Sequence, residues 1–202
     1  MRMRKKKWVK PFLEEEKVYL IDDISSLKID SPIYLEIGMG MGDFICESAK
    51  ENPDIFYIGL EKDETCVARA IKKAQEYKLN NLKIMLKNAD ILNEIFKENY
   101  VDRIYLHFCD PWPKKGHHKR RLTYPTFLEK YKYILKEDGT IIFKTDNEEF
   151  FNDSLDYFKQ ANLKTIDINY DYHALNRDEI LTAYERKFKD LGQKIYYIKL
   201  QA

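Results

Sequence analysis

Ile33-Tyr34-Leu35-Glu36-Ile37-Gly38-Met39-Gly40-Met41-Gly42-Asp43 is the stretch on which the fold turns. Its first five residues are an apolar run broken by one acid, which predicts a buried strand over 33–37. Glycines at 38, 40 and 42 then let the backbone turn sharply and let a ligand come close. A helical pattern follows near 42–51. Strand, glycine loop and helix in that order open a βα unit, and the chain repeats the alternation. Apolar strand candidates fall at 55–60, 82–86, 103–108 and 140–144, with helical segments near 62–78, 90–98 and 124–136. This predicts a Rossmann-like, doubly wound α/β fold whose mostly parallel sheet is covered on both faces. Past 145 the order changes to a helix near 147–161, a strand-like 163–169, a helix near 177–190 and a strand-like 194–200. The two late strands are expected to close one edge of the sheet as an antiparallel C-terminal pair. Residues 1–31 lack steady periodicity and read as a basic N-terminal arm or lead-in, with 32–202 as a single domain.

A chain of 202 residues, 44% of them hydrophobic and 34% charged, has enough material for one such domain with a real core. The net charge of +1 does not by itself argue for nucleic acid, but its distribution does. Arg2, Arg4, Lys5, Lys6, Lys7 and Lys10 crowd the N-terminus, and Lys114, Lys115, Lys119, Arg120 and Arg121 form a second block. A solvated face is the bland alternative for either cluster. Cys46, Cys66 and Cys109 are odd in number and widely spaced, which fits a reducing cytoplasm rather than a disulfide framework. No apolar run approaches membrane-spanning length, and charge interrupts Val9, Phe12 and Leu13, so neither a membrane partner nor a secretory leader is expected.

The glycine loop narrows the cofactor. A dinucleotide fingerprint requires glycine at 43, where Asp43 stands, so the nicotinamide pattern fails by one residue. A pyrophosphate is repelled by Glu36 and Asp43, whereas a cationic cofactor tolerates them. S-adenosylmethionine, with its sulfonium and ammonium, fits that charge pattern. Glu61 ends the second strand, where a nucleoside-binding α/β fold places an acid for ribose hydroxyls. Asn88 follows the third strand, where contacts to an adenine edge are expected. Glu61 alone is equally read as a helix N-terminal acid, and the loop alone as a tight turn.

A second stretch carries the chemistry. Arg103-Ile104-Tyr105-Leu106-His107-Phe108 reads as a strand that delivers Asp110 to its carboxyl end, where open α/β sheets place ligands. Pro111 and Pro113 stop the chain from continuing as strand or helix, so Asp110 and Trp112 sit on a rigid turn. The basic block beside them suits a phosphate-rich partner. Trp112 either stacks on a base or packs under the loop. His107, Cys109, His117 and His118 lack zinc-ligand spacing, and no metal is expected.

Glu36-x-Gly38-x-Gly40-x-Gly42 resembles the cofactor loop of class I S-adenosylmethionine-dependent methyltransferases. The run Asp110-Pro111-Trp112-Pro113-Lys114-Lys115, continued by His118-Lys119-Arg120-Arg121-Leu122-Thr123, resembles the signature of bacterial tRNA (guanine-N7-)-methyltransferases. Phe143-Lys144-Thr145-Asp146-Asn147 and Thr182-x-Tyr184-Glu185 agree with it. The resemblance covers roughly 33–200 and implies a cytoplasmic enzyme, monomer or homodimer, that methylates N7 of a variable-loop guanine in tRNA. It implies that Glu36, Gly38, Glu61, Asn88 and Asp110 contact the cofactor and that Asp110 is also the active-site acid. Lys114, Asp146, Thr182, Tyr184 and Glu185 would meet the RNA substrate, and Lys119, Arg120 and Arg121 would grip its phosphates. Two rivals remain: an amino-directed nucleic-acid methyltransferase, and a noncatalytic RNA-binding protein on the same fold. Trp112 standing where the amino-directed enzymes carry a second proline counts against the first. Intact Glu36, loop glycines and Asp110 count against the second.

Overall fold

The computed structural model of the chain describes residues 6–25, 27–172, 180, 185 and 191–202. Two compact units divide it, Met1–Asn88 and Ala89–Ala202.

In the first unit, β1 (Ile33–Ile37), β2 (Phe56–Glu61) and β3 (Leu82–Leu86) form parallel pairs in the order β3-β2-β1. Crossover helices α2 (Asp43–Glu51) and α3 (Glu64–Glu76) join them. The strands are nearly continuous apolar runs because parallel strands are covered on both faces. Ile45 of α2, Val67 and Ile71 of α3, and Leu82 and Ile84 of β3 share one buried cluster. The lead-in also belongs to this unit. A short helix α1 (Val9–Glu15) packs on α3 and sinks Val9 and Leu13 into the cluster with Tyr19. Seven residues are too few for a helix to stand alone in water, so this packing is what holds α1.

In the second unit the order is β4-β5-β7-β6, built from β4 (Val101–His107), β5 (Leu135–Thr145), β6 (Lys164–Asn169) and β7 (Tyr196–Gln201). β4 and β5 are parallel; β7 runs antiparallel to both β5 and β6, as expected of the two late strands. The helices are α4 (Leu92–Ile95), α5 (Pro125–Ile134) and α6 (Glu148–Gln160). Pro125 sits at the start of α5, where a missing N–H costs nothing. Asn147 caps α6 by accepting from the Phe150 N–H at 2.8 Å. Phe143 of β5 anchors α6 through aromatic contacts with Phe150, Phe151 and Phe158, at centroid distances of 5.1, 6.1 and 5.9 Å.

One expectation shifts. The helix near 90–98 is a 3-10 turn over Ala89–Ile91 followed by the single turn of α4. The helix near 177–190 lies almost wholly outside the described residues. Among the described residues no helix is long and apolar enough to cross a membrane.

Candidate functional site

The first unit builds a cradle at the carboxyl ends of β1 and β2. Glu36 pairs with Gly59 and Ile37 with Leu60, so the two strands end side by side. The chain leaves β1 through Gly38, whose N–H donates to the Leu60 carbonyl at 2.8 Å. Gly40 has φ +57, and a Cβ there meets nothing within 4 Å. Its open side is therefore available to a ligand. Gly42 is different: φ is +75, and a Cβ would stand 2.6 Å from the Ala70 Cβ. That glycine lets α2 begin tight against α3.

Glu61 closes the cradle from β2. The Gly40 N–H donates to Glu61 Oε2 at 3.1 Å, and the Lys62 and Asp63 N–H groups donate to Oε1 at 2.8 and 3.0 Å. Asp63 in turn caps α3, accepting from Thr65 and Cys66 at 2.9 and 3.1 Å. A carboxylate offers about four acceptor positions, so one remains on Glu61 for a ribose hydroxyl. Glu36 is 3% exposed, directly before the loop, and Asn88 is exposed two residues past β3. Asp43, by contrast, pairs with Lys73 of α3 and ties the two helices together. Burial, then the neighbouring Glu61 and Asp63 carboxylates, push the Cys66 thiol up to about 12, so it stays protonated. Open glycine, two strand-end acids and an exposed amide fit a cationic nucleoside cofactor. A pyrophosphate would meet carboxylates where it needs donors.

The second unit presents the acid. β4 ends at His107, and the Phe108 N–H donates to the Lys144 carbonyl at 2.9 Å. Phe108 has φ +50 and Trp112 φ +41. Bulky side chains in that region cost about 1–3 kcal/mol each and persist only where surroundings hold them. Between these two residues Asp110 stands exposed. The Trp112 ring lies under the Arg120 guanidinium at 5.0 Å and against His117 at 5.8 Å, so the indole packs within its own loop. Lys114 and the 3-10 turn Lys115–Arg120 carry the exposed cations, including Lys119 and Arg120.

Arg121 corrects the expectation of a phosphate contact. Its side chain is 1% exposed, and its Nε donates to the Pro111 carbonyl at 2.6 Å. One terminal nitrogen meets Asp153 Oδ2, also at 2.6 Å, and the guanidinium lies 5.1 Å from the Phe150 ring. It is an internal strut, not a surface cation.

Asp146 follows directly on β5 and is half-buried. Thr182 and Tyr184 lie outside the described residues. Glu185 is 0% exposed, and its Oε1 accepts from Lys144 Nζ at 3.0 Å. Sequence reasoning passed over Lys144, which is buried at the end of β5 with its ammonium 4.3 Å from the Tyr172 ring. A lysine directly after the apolar run Ile141-Ile142-Phe143 was the available signal. His107 is buried beside it. Burial first, and then the Lys144 ammonium, hold its pKa well below 6.5, so its imidazole is neutral.

Solved structures with the same fold are S-adenosylmethionine-dependent methyltransferases. A 16S rRNA methyltransferase aligns with a TM-score of 0.63 at 16% identity, over 85% of this chain and 87% of that one. A SAM-dependent methyltransferase from Aquifex aeolicus aligns with a TM-score of 0.58 at 13% identity, over 86% and 84%. The fold is thus that of the class I methyltransferases. A family model described as "Putative methyltransferase" matches residues 30–198, across both units. The tRNA (guanine-N(7)-)-methyltransferase of Bacillus subtilis (strain 168) is 41% identical over 100% of this chain and 99% of its own length. That of Staphylococcus saprophyticus is 43% identical over 97% of each. The chain belongs to the tRNA (guanine-N7-)-methyltransferase family.

Proposed function

We propose that this protein transfers the methyl group of S-adenosylmethionine to N7 of a guanine in tRNA, the variable-loop guanine as the resemblance implies. The observation that carries the reading is Asp110. It is an exposed carboxylate on a strained turn, tethered at both ends and followed at once by a cationic 3-10 segment. Full-length relatives named for this activity support it. Residues 32–202 then work as one methyltransferase domain, in the cytoplasm where tRNA is found.

In this reading Glu36 offers a carboxylate to the cofactor's positive end, Glu61 holds the ribose and Asn88 meets the adenine edge. The cofactor, when bound, supplies an electrophilic methyl on sulfur. Guanine N7 carries an in-plane lone pair and no proton, so no residue has to act as a base there. The protein's work is to align the base and exclude water. The ring becomes cationic as the methyl arrives, and Asp110 stabilises that developing charge. Its second oxygen can accept from the N1 and N2 donors and hold the base by its edge. Lys114, Lys119 and Arg120 meet phosphates, which orient the RNA without reading its sequence. Asp146, Thr182 and Tyr184 complete the substrate side, whereas Glu185, expected to meet the RNA, is buried and accepts from Lys144.

Single-turnover methylation by Asp110→Ala and Asp110→Asn tests the assignment. Ala is expected to cost roughly 10²–10³ in rate with tRNA affinity little changed. Near-full rates for both variants would remove Asp110 from the chemistry.

A further inference from the structure

Arg121 is buried, and its contacts point to a task other than gripping phosphates. Its Nε holds the carbonyl of Pro111, the residue next to Asp110, at 2.6 Å. The same guanidinium is braced by Asp153 of α6 at 2.6 Å and lies against Phe150. Chain neighbours of Arg121 are sewn to α6 as well. Thr123 Oγ1 and Ser154 Oγ lie 2.8 Å apart, and Ser154 also donates to the Phe150 carbonyl at 2.7 Å. Tyr124 packs on Tyr157 at a centroid distance of 5.4 Å. On the other side of Asp110, the Phe108 N–H is pinned to the Lys144 carbonyl.

The acid therefore hangs between two tethers, one to β5 and one to α6, across a stretch whose ends have positive φ. Proline at 111 has no N–H and leaves only its carbonyl as a handle. A planar, permanently charged guanidinium can hold that carbonyl and a carboxylate together, which a lysine ammonium cannot do in the same geometry.

We propose that Arg121 is a positioning residue: through the Pro111 carbonyl and Asp153 it holds Asp110 in the orientation methyl transfer requires. The inference rests on the proposed role of Asp110. It separates Arg121 from its neighbour Arg120, which faces solvent and serves the RNA.

The test compares Arg121→Met, Arg121→Lys and Arg120→Ala with wild type, all in a Trp8→Phe background that leaves Trp112 as the sole tryptophan. Wild-type 7-methylguanosine formation on unmodified tRNA comes first, since its absence would sink the functional reading rather than this one. With wild type active, Arg121→Met and Arg121→Lys are expected to slow single turnover at saturating tRNA and cofactor by tenfold or more. Their tRNA affinity should stay within about threefold and its salt slope should not change. Trp112 fluorescence anisotropy should fall as the loop loosens. Arg120→Ala should reduce the salt slope of tRNA binding, which the Arg121 variants should leave unchanged. Should Arg121→Met fail to fold, Arg121→Lys carries the comparison alone. A wild-type rate and anisotropy in Arg121→Lys would overturn the proposal. So would a reduced salt slope with the saturated rate intact, which would return Arg121 to the phosphates.

Discussion

Gly40 and Gly42 of the cofactor loop should separate under substitution by alanine, because the structure gives them different reasons to be glycine. At Gly42 a Cβ would lie 2.6 Å from the Ala70 Cβ and 3.1 Å from the Ala70 Cα. Carbon atoms rest at about 3.5–4.0 Å, so the overlap is about 1 Å against the Ala70 Cβ, which is fixed to the backbone of α3 and cannot swing aside like a side-chain tip. Overpacking of this kind costs about 1–3 kcal/mol, and left-handed φ adds roughly 1–2 kcal/mol. Gly42→Ala should therefore lose about 2–5 kcal/mol. Gly40→Ala meets no neighbour within 4 Å and carries only the backbone cost of its φ of +57, roughly 1–2 kcal/mol. Its methyl, however, would enter the open side of the cradle, and S-adenosylmethionine affinity should fall tenfold or more. Urea unfolding measures the first quantity and isothermal titration with the cofactor the second. If Gly42→Ala proved no less stable than Gly40→Ala, the packing argument would be refuted. If Gly40→Ala bound cofactor as wild type does, the ligand would not approach at that residue.

Lys144→Met should cost about 3–5 kcal/mol in urea unfolding, because it leaves the Glu185 carboxylate buried without its cation. Adding Glu185→Leu should recover much of that loss, and a double variant that recovers nothing would contradict the pairing. His107 gives a pH dependence of definite sign. Burial and Lys144 keep its folded pKa well below 6.5, so below that pH the unfolded chain binds a proton that the folded chain does not. Its contribution to stability is lost as pH falls below about 6.5, at up to about 1.4 kcal/mol per pH unit. Unfolding of wild type and His107→Asn between pH 5 and 7.5 should therefore show a shallower slope for the variant, and equal slopes would contradict the neutral buried imidazole. Lys119→Ala with Arg120→Ala should lower the salt slope of tRNA binding by something under about one unit for each lost contact, leaving cofactor affinity unchanged. An unaltered slope would mean that the exposed 3-10 segment does not meet RNA.

The strands were legible because parallel strands covered on both faces are nearly continuous apolar runs, and in Ile33–Ile37, Leu82–Leu86 and the core of β4 only Glu36 and Lys83 interrupt them. The glycine loop was legible because few other residues tolerate its φ values. Helix α1 was not, since a seven-residue segment with Pro11 inside it has no periodicity to detect and is held by α3, a contact distant in sequence. The fate of Arg121 was hidden for a related reason. Sequence records that 119, 120 and 121 are all basic, but the 3-10 turn ends at Arg120 and the next residue returns to extended backbone, aimed at α6. Charge is a property of the residue, whereas exposure depends on where the turn stops. The buried pair of Lys144 and Glu185 shows the same limit, its partners being separated by 41 positions.

The central claim is tested most directly by incubating unmodified tRNA with S-adenosylmethionine labelled in its methyl group, digesting the RNA to nucleosides and separating them. The account predicts label in 7-methylguanosine, and its loss with Asp110→Ala. Label on an exocyclic amine of adenosine or cytidine, or cofactor bound with no transfer to tRNA, would contradict it.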